Sequence, residues 1–201
     1  MDTVIGVQYK DGVIIAADQA NARSILIYQS NLDKIKQLTS HSAMGVSGPN
    51  CDLVQFTEYI SKNLQLYELR HEGTKLSTKA QANFCRNELA VALRKGPYQV
   101  SALLGGFDLT TQKPSLYYLD YMGTLQKVPF GAQGYAQYFT LSTMDREYRE
   151  NLDETAALDI IGKAIHELQS RFLIKQNNFI IKVIDQDGVR VHSQGADPAD
   201  T

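Results

Sequence analysis

The chain has 201 residues but no long hydrophobic run, no leader-like start, no basic cluster and only two cysteines. Each lack excludes something. Without 18 consecutive apolar residues, no segment reads as a membrane-spanning helix. The start, Met1-Asp2-Thr3-Val4-Ile5, has no basic n-region, no apolar h-region and no small-residue cleavage site. The longest basic stretch is Arg94-Lys95, and the formal net charge is -2. Neither nucleic acid nor an acidic membrane surface is expected as a partner, since both demand basic clusters. Cys51 and Cys85 lie too far apart for a metal hook, and two cysteines fit a reducing compartment better than a disulfide framework. Both fall within amphipathic helical patterns and are expected to be buried thiols. The expected location is the cytoplasm or nucleus. Also missing are G-x-S-x-G, G-x-x-x-x-G-K-[ST], H-E-x-x-H and C-x-x-C, and no cofactor is implied.

What is present is the pattern of one globular domain with a sizeable core, followed by a polar tail from about residue 194. Val4–Val7 and Val13–Ala17 are short β-branched runs separated by Asp11-Gly12, a hairpin signal that rests on positive φ. With Ile25–Tyr28 and Ala43–Val46, about five strands open the chain. Leu53, Phe56, Ile60, Leu64 and Tyr67 form one helical stripe with Pro49 near its start. Ser77 is an N-cap for a second helix carrying Phe84, Cys85, Leu89, Ala92 and Leu93, stopped by Gly96-Pro97. Strands return at Val100–Phe107, Leu116–Asp120 and Thr124–Val128. A third helix is predicted over 134–146. A fourth begins near Asp153, with Ile161, Ile165, Leu168 and Phe172 on one stripe. Phe179–Ile184 and Val189–His192 end the fold. Strands apolar on both faces imply sheets covered on both sides. The prediction is α+β: two antiparallel sheets face to face, with a helix pair outside each, a four-layer αββα sandwich.

Candidate chemistry is sparse. His41, His71, His166 and His192 lie far apart in sequence and read as surface or turn histidines. Ser47-Gly48-Pro49 joins a strand to a helix, where free N–H groups can hold an anion. Gly105-Gly106 follows a buried run; close backbone approach explains it as well as a ligand does.

One constellation is more specific. A strand begins at the N-terminus, Asp11-Gly12-Val13-Ile14-Ile15-Ala16-Ala17-Asp18 follows, then Asp33-Lys34-Ile35 and Val46-Ser47-Gly48. This resembles the β chains of the proteasome family and their bacterial relatives, N-terminal-nucleophile hydrolases, over about residues 2–192. The resemblance implies the same four-layer fold. It implies a chemistry in which an N-terminal threonine hydroxyl attacks, and the chain's own α-amine, with a reference pKa of about 7.7–8.0, takes the proton. Asp18 matches the site aspartate, Lys34 the lysine and Gly48 the oxyanion glycine. The nucleophile position falls on Asp2, behind Met1, with no pro-segment ahead of it, so no free threonine is expected. Thr3 is one residue out of register, which turns a strand side chain to the other face. Ala20, Gly131-Ala132-Gln133-Gly134 and the segment Arg171 to Asn177 also depart from the active members' pattern. Asp18 and Lys34 therefore read as a structural ion pair or as ordinary strand-end charges, with a residual chemical role as the other reading.

The strings Val54–Ile60, Pro97–Val100, Leu116–Tyr121 and Pro129–Tyr135 narrow the resemblance to one non-catalytic ring position. That position implies a seven-membered β ring with β3-type and β5-type neighbours, an α ring on one side and a second β ring on the other. It also implies a supporting role in ATP- and ubiquitin-dependent degradation. Ser24, Ile25 and Ile27 are candidates for a wall of a neighbour's site. The alternative is an active, homo-oligomeric HslV-like threonine peptidase, which requires a mature N-terminal threonine.

Overall fold

The structure, a computed structural model, describes residues 2–23 and 26–194. β1 (Thr3–Tyr9), β2 (Gly12–Asp18), β3 (Asn21–Arg23), β4 (Leu26–Gln29), β5 (Ile35–Thr39) and β6 (Ser42–Ser47) precede α1 (Asn50–Arg70) and α2 (Thr78–Ala92). Next come β7 (Ser101–Asp108), β8 (Lys113–Leu119), β9 (Leu125–Lys127) and β10 (Phe130–Gly134). Then follow α3 (Gln137–Glu147), α4 (Glu154–Arg171), β11 (Phe179–Asp185) and β12 (Gly188–Gln194). One antiparallel sheet runs β10-β1-β2-β11-β12 and the other β5-β6-β7-β8-β9, with β3-β4 a separate ribbon.

The alternation of side chains along each strand builds three apolar layers. Val13, Ile15 and Ala17 of β2 meet Ala43, Leu103 and Leu116 between the sheets. Ile14 and Ala16, on the other face of β2, meet Ile160, Ile161 and Ala164 of α4. Met44, Val46, Ala102, Leu104 and Leu119 meet Leu53, Phe56 and Ile60 of α1 and Cys85 and Leu89 of α2. This is the expected αββα sandwich. A fully buried Ile or Leu contributes about 1.5–3 kcal/mol, whereas an exposed pair such as Lys163–Asp159 is screened by solvent and adds little. The layers, not the surface bridges, hold the fold.

The sheets lie close because glycines leave holes. A Cβ on Gly45 would come 2.5 Å from Val4 Cγ1, one on Gly105 2.8 Å from Val13 Cγ1, and one on Gly6 3.2 Å from Leu103 Cδ1. Gly105 is thus a point of close approach, one of the two readings its sequence allowed. Ser77 and Asp153 cap α2 and α4, each accepting from the N–H three residues on.

Four expectations are corrected. Six strands, not about five, precede α1, because the chain also forms the short strand β3 and the strand β5. The third helix begins at Gln137, not at 134, because Phe130–Gly134 pairs with β1 along the sheet edge. Cys85 is buried, but Cys51 is exposed. Two residues before Leu53 is about 200° round the helix, off the buried stripe. Finally, the β1–β2 turn is Lys10-Asp11, and neither it nor Gly12 has positive φ. Gly12 serves packing instead, since a Cβ there would lie 2.5 Å from the Ile184 carbonyl oxygen and 2.6 Å from the Tyr9 hydroxyl.

Two glycine substitutions should therefore move stability in opposite directions. Gly105→Ala overpacks the inter-sheet layer and should cost about 1–3 kcal/mol. Gly162→Ala, inside α4 with nothing within 4 Å of the new Cβ, should gain about 0.4–1 kcal/mol. Urea unfolding of both variants checks the signs.

Candidate functional site

Both sheets end at the same place. Asp2 precedes β1 and Asp18 ends β2, its neighbour in the first sheet; Lys34 precedes β5 and Gly48 follows β6, its neighbour in the second. Antiparallel pairing brings Asp2 beside Asp18 and Lys34 beside Gly48, and the packing of one sheet on the other brings the two pairs together. Lys34 is almost wholly buried, and a buried ammonium requires partners. It finds three acceptors for its three hydrogens: Asp2 Oδ1 at 2.8 Å, Asp18 Oδ2 at 2.8 Å and the Ala20 carbonyl oxygen at 2.7 Å. Asp18 also accepts from the Thr3 N–H at 2.7 Å and the Ala20 N–H at 3.2 Å. The second oxygen of Asp2, Oδ2, accepts from the Gly48 N–H at 3.0 Å.

Burial pushes the Asp18 carboxyl above its ordinary value. The Lys34 ammonium and the Thr3 N–H pull it back, while the Asp2 carboxylate adds to the rise.

Two glycines make this geometry possible. A Cβ on Gly48 would run into the Gln99 carbonyl oxygen. Gly134, at φ 72°, lies against the Asp2 carbonyl, where a Cβ has no room. The cluster opens on a cleft of about 1040 Å³ bordered by Tyr28, Tyr118, Tyr121, Tyr135 and Tyr138.

The sequence named Asp2, Asp18, Lys34 and Gly48 as one constellation, and the structure brings all four together. Thr3 is not among the residues lining the cleft. Val4 faces the opposite sheet and Ile5 the α3–α4 layer, so strand alternation puts Asp2 on the sheet-facing side and Thr3 on the helix side. Thr3 is fully buried, and its Oγ1 has no hydrogen-bond partner among the described residues. Of the proposed wall, Ser24 and Ile25 lie outside the described residues, and Ile27 is exposed on β4. No histidine borders the cleft: His41 sits in the β5–β6 turn, His71 at the end of α1, His166 on α4 and His192 on β12. Among the described residues, no group of His, Cys, Asp and Glu could hold a metal ion.

Two supporting residues escaped the sequence reading. Lys182 of β11 donates to Asp33 Oδ2 at 2.6 Å and to the Ile35 carbonyl oxygen at 2.7 Å, bracketing Lys34 on both sides. A lysine inside Phe179–Ile184 was the available signal, because a charge in an apolar strand needs a buried partner. Gln133 of β10 reaches across the sandwich to the carbonyl oxygens of Ala102 and Leu119, at 3.2 and 2.8 Å. Nothing in its local sequence announces this.

A four-layer sandwich with a lysine, an aspartate and a backbone N–H gathered at the start of its first strand defines the N-terminal-nucleophile hydrolase class of fold. Within that class the assignment is specific: the proteasome subunit family model matches residues 1–184, and the chain belongs to that family. It is 46% identical to the proteasome subunit beta type-2 of Oryza sativa subsp. japonica, over 98% of this chain and 92% of that protein. It is also 46% identical to the proteasome subunit beta type-2-B of Arabidopsis thaliana over the full length of both. Identity to the proteasome subunit beta type-4 of Saccharomyces cerevisiae is 40%, over 94% and 96% of the two chains. The family resemblance and the fold read from the sequence are borne out.

Lys34→Met should be severely destabilising, by about 3–5 kcal/mol, because it leaves two carboxylates facing each other without their cation. Denaturant unfolding beside a surface control such as Lys163→Met, expected to unfold close to the parent, measures this.

Proposed function

We propose that the chain is a non-catalytic β-type subunit of the 20S proteasome core particle. It supports ATP- and ubiquitin-dependent protein degradation, in cytoplasm and nucleus, by neighbouring threonine-protease subunits. The observation that carries this reading is the position of Asp2. Its carboxylate takes up the hydrogen bonds of both Lys34 and the Gly48 N–H, the two donors that N-terminal-nucleophile chemistry assigns to a hydroxyl and to a developing oxyanion. A carboxylate at that point offers no hydroxyl to form an acyl intermediate, and it leaves the oxyanion donor engaged.

The surface supports an assembled role. Leu69 on α1, Tyr138 on α3 and Leu173 beyond α4 are 81%, 76% and 94% exposed, and Leu26, Ile27 and Tyr28 project from the β3–β4 ribbon. Large apolar side chains distributed over several faces suit a chain with partners on more than one side. The partners proposed are the β3-type and β5-type neighbours in the ring, the α ring and the opposite β ring.

Native core particles treated with a peptide electrophile directed at N-terminal threonines provide the test. The chain should be present in equal amount with each other β chain and remain unlabelled while the active subunits react. Labelling at Thr3, with a mature terminus at that residue, would establish the HslV-like peptidase instead. A finished particle lacking the chain would make it an assembly factor.

A further inference from the structure

We propose that Lys10, Lys113 and Lys127 form a binding pocket for two linked phosphates, the diphosphate group of a small molecule. The pocket shares no lining residue with the cleft at Asp2, and the inference stands apart from the proposed function.

The sequence holds no basic run, but the fold assembles a basic cluster from three remote segments. Lys10 lies in the β1–β2 turn, Lys113 opens β8 and Lys127 ends β9. All three line one hollow of about 350 Å³, at the small end of the range of ligand pockets, about 300–1,000 Å³. Main-chain hydrogen bonds hold its walls. The Lys10 N–H donates to the Leu152 carbonyl oxygen at 2.9 Å, joining the turn to the α3–α4 connection. The Gln8 N–H donates to the Pro129 carbonyl oxygen at 2.8 Å, joining β1 to the β9–β10 connection. Gln8, Glu150 and Asn151 complete the rim.

The three ammoniums are free to take a ligand. None of them makes an ion pair among the described residues, whereas Lys34, Lys75, Lys163 and Lys182 all do. Glu150 is the one acid lining the hollow, so three positive charges face a single negative one, in a chain whose formal net charge is -2. A second hollow adjoins at Tyr9 and Lys10; its Glu154 and Asp185 are already paired with Arg190, and its Asp11 and Asp187 do not line this one. The ligand class follows from these donors. A surplus of two positive charges matches an anion with at least two negative charges. No arginine lines the hollow, so the flat fork that suits a carboxylate is absent. Lysine ammoniums are point charges with three hydrogens each, which suit phosphate oxygens approached from several sides. Standing on separate segments, they reach two linked phosphates together, and the Gln8 and Asn151 amides add neutral donors.

Acetylation footprinting of the full-length chain, in the assembly in which it is expressed, tests this. Lysine reactivity is read by mass spectrometry as sodium pyrophosphate is added, against sodium chloride at matched ionic strength. Lys10, Lys113 and Lys127 should be protected together and saturably, while Lys79 on α2 stays unchanged. Orthophosphate should protect them only at higher concentration. Lys113→Gln and Lys127→Gln, both at exposed positions, should each raise the half-protecting pyrophosphate concentration at Lys10 about fivefold. Glu150→Gln should lower it, because the opposing charge is gone. ADP and isopentenyl diphosphate are run beside pyrophosphate, and the one that protects at the lowest concentration names the carrier of the diphosphate. No protection, equal protection of Lys79, or a response to chloride equal to that to pyrophosphate would overturn the proposal. So would lysines that are unreactive before any ligand is added, since a partner chain then covers the hollow. Protection by a single-stranded oligonucleotide at lower concentration than by any diphosphate would overturn the small-ligand reading. Absence of the chain from core particles would sink the proposed function and leave the footprint unchanged.

Discussion

The ammonium of Lys34 is the point at which the two sheets are locked together. Hydrophobic layers supply the bulk of the stability, but apolar contact is non-directional and permits sliding. Lys34 does not, because its three hydrogens have three fixed acceptors on the other side of the sandwich mouth. Lys182 and Gln133 repeat the device at two further places, each rooted in the first sheet and hydrogen-bonded to the second. Buried polar side chains whose hydrogens are matched specify a unique arrangement, since any shift strands a donor in a dry interior. The glycine holes at Gly45 and Gly105 receive Val4 and Val13 only in that same alignment.

The cluster that performs this mechanical task also has the residues that the family resemblance assigns to the frame of a hydrolytic site. In N-terminal-nucleophile chemistry a lysine, an aspartate and a backbone N–H surround a hydroxyl and a free amine. Here the frame surrounds a carboxylate, and its hydrogen bonds are complete without any substrate. The proposal of a non-catalytic subunit draws its support from this completeness: a site whose donors are already engaged has nothing poised for a transition state. Retaining Asp18 and Lys34 needs no residual chemistry to explain it, because losing either partner of a buried pair exposes the other.

Much of this was legible in the sequence, for identifiable reasons. β2 and β7 are runs of apolar residues with no polar interruption, which only a sheet covered on both sides accommodates. Ser77 is a cap whose chemistry is local and sits where it is expected, and α4 begins beside Asp153 as the sequence indicates. Asp18, Lys34 and Gly48 were assembled from a motif, and topology placed them within hydrogen-bonding reach. The misses have the opposite character. β10, with the sequence Phe130-Gly131-Ala132-Gln133-Gly134, has little intrinsic strand preference and exists because β1 offers it an edge. Cys51 is exposed because the buried stripe of α1 begins at Leu53, a matter of helical phase that two residues reverse. The partners of Gln133 lie on strands remote in sequence, beyond the reach of any local pattern.

The order of strands in the first sheet bears on how the molecule comes to exist. β2, made early, has β11 as its neighbour on one side, with Ile14 opposite Val183 near the other end of the chain. Such long-range pairing must wait for loop closure. A ribosome therefore has to deliver the chain as far as β11 before this sheet can close. Until then the apolar runs of β1 and β2 stand with a bare edge, the feature that invites wrong pairing. The vulnerable species is thus the nascent chain rather than the finished sandwich, and protection during synthesis matters more to this fold than added stability afterwards.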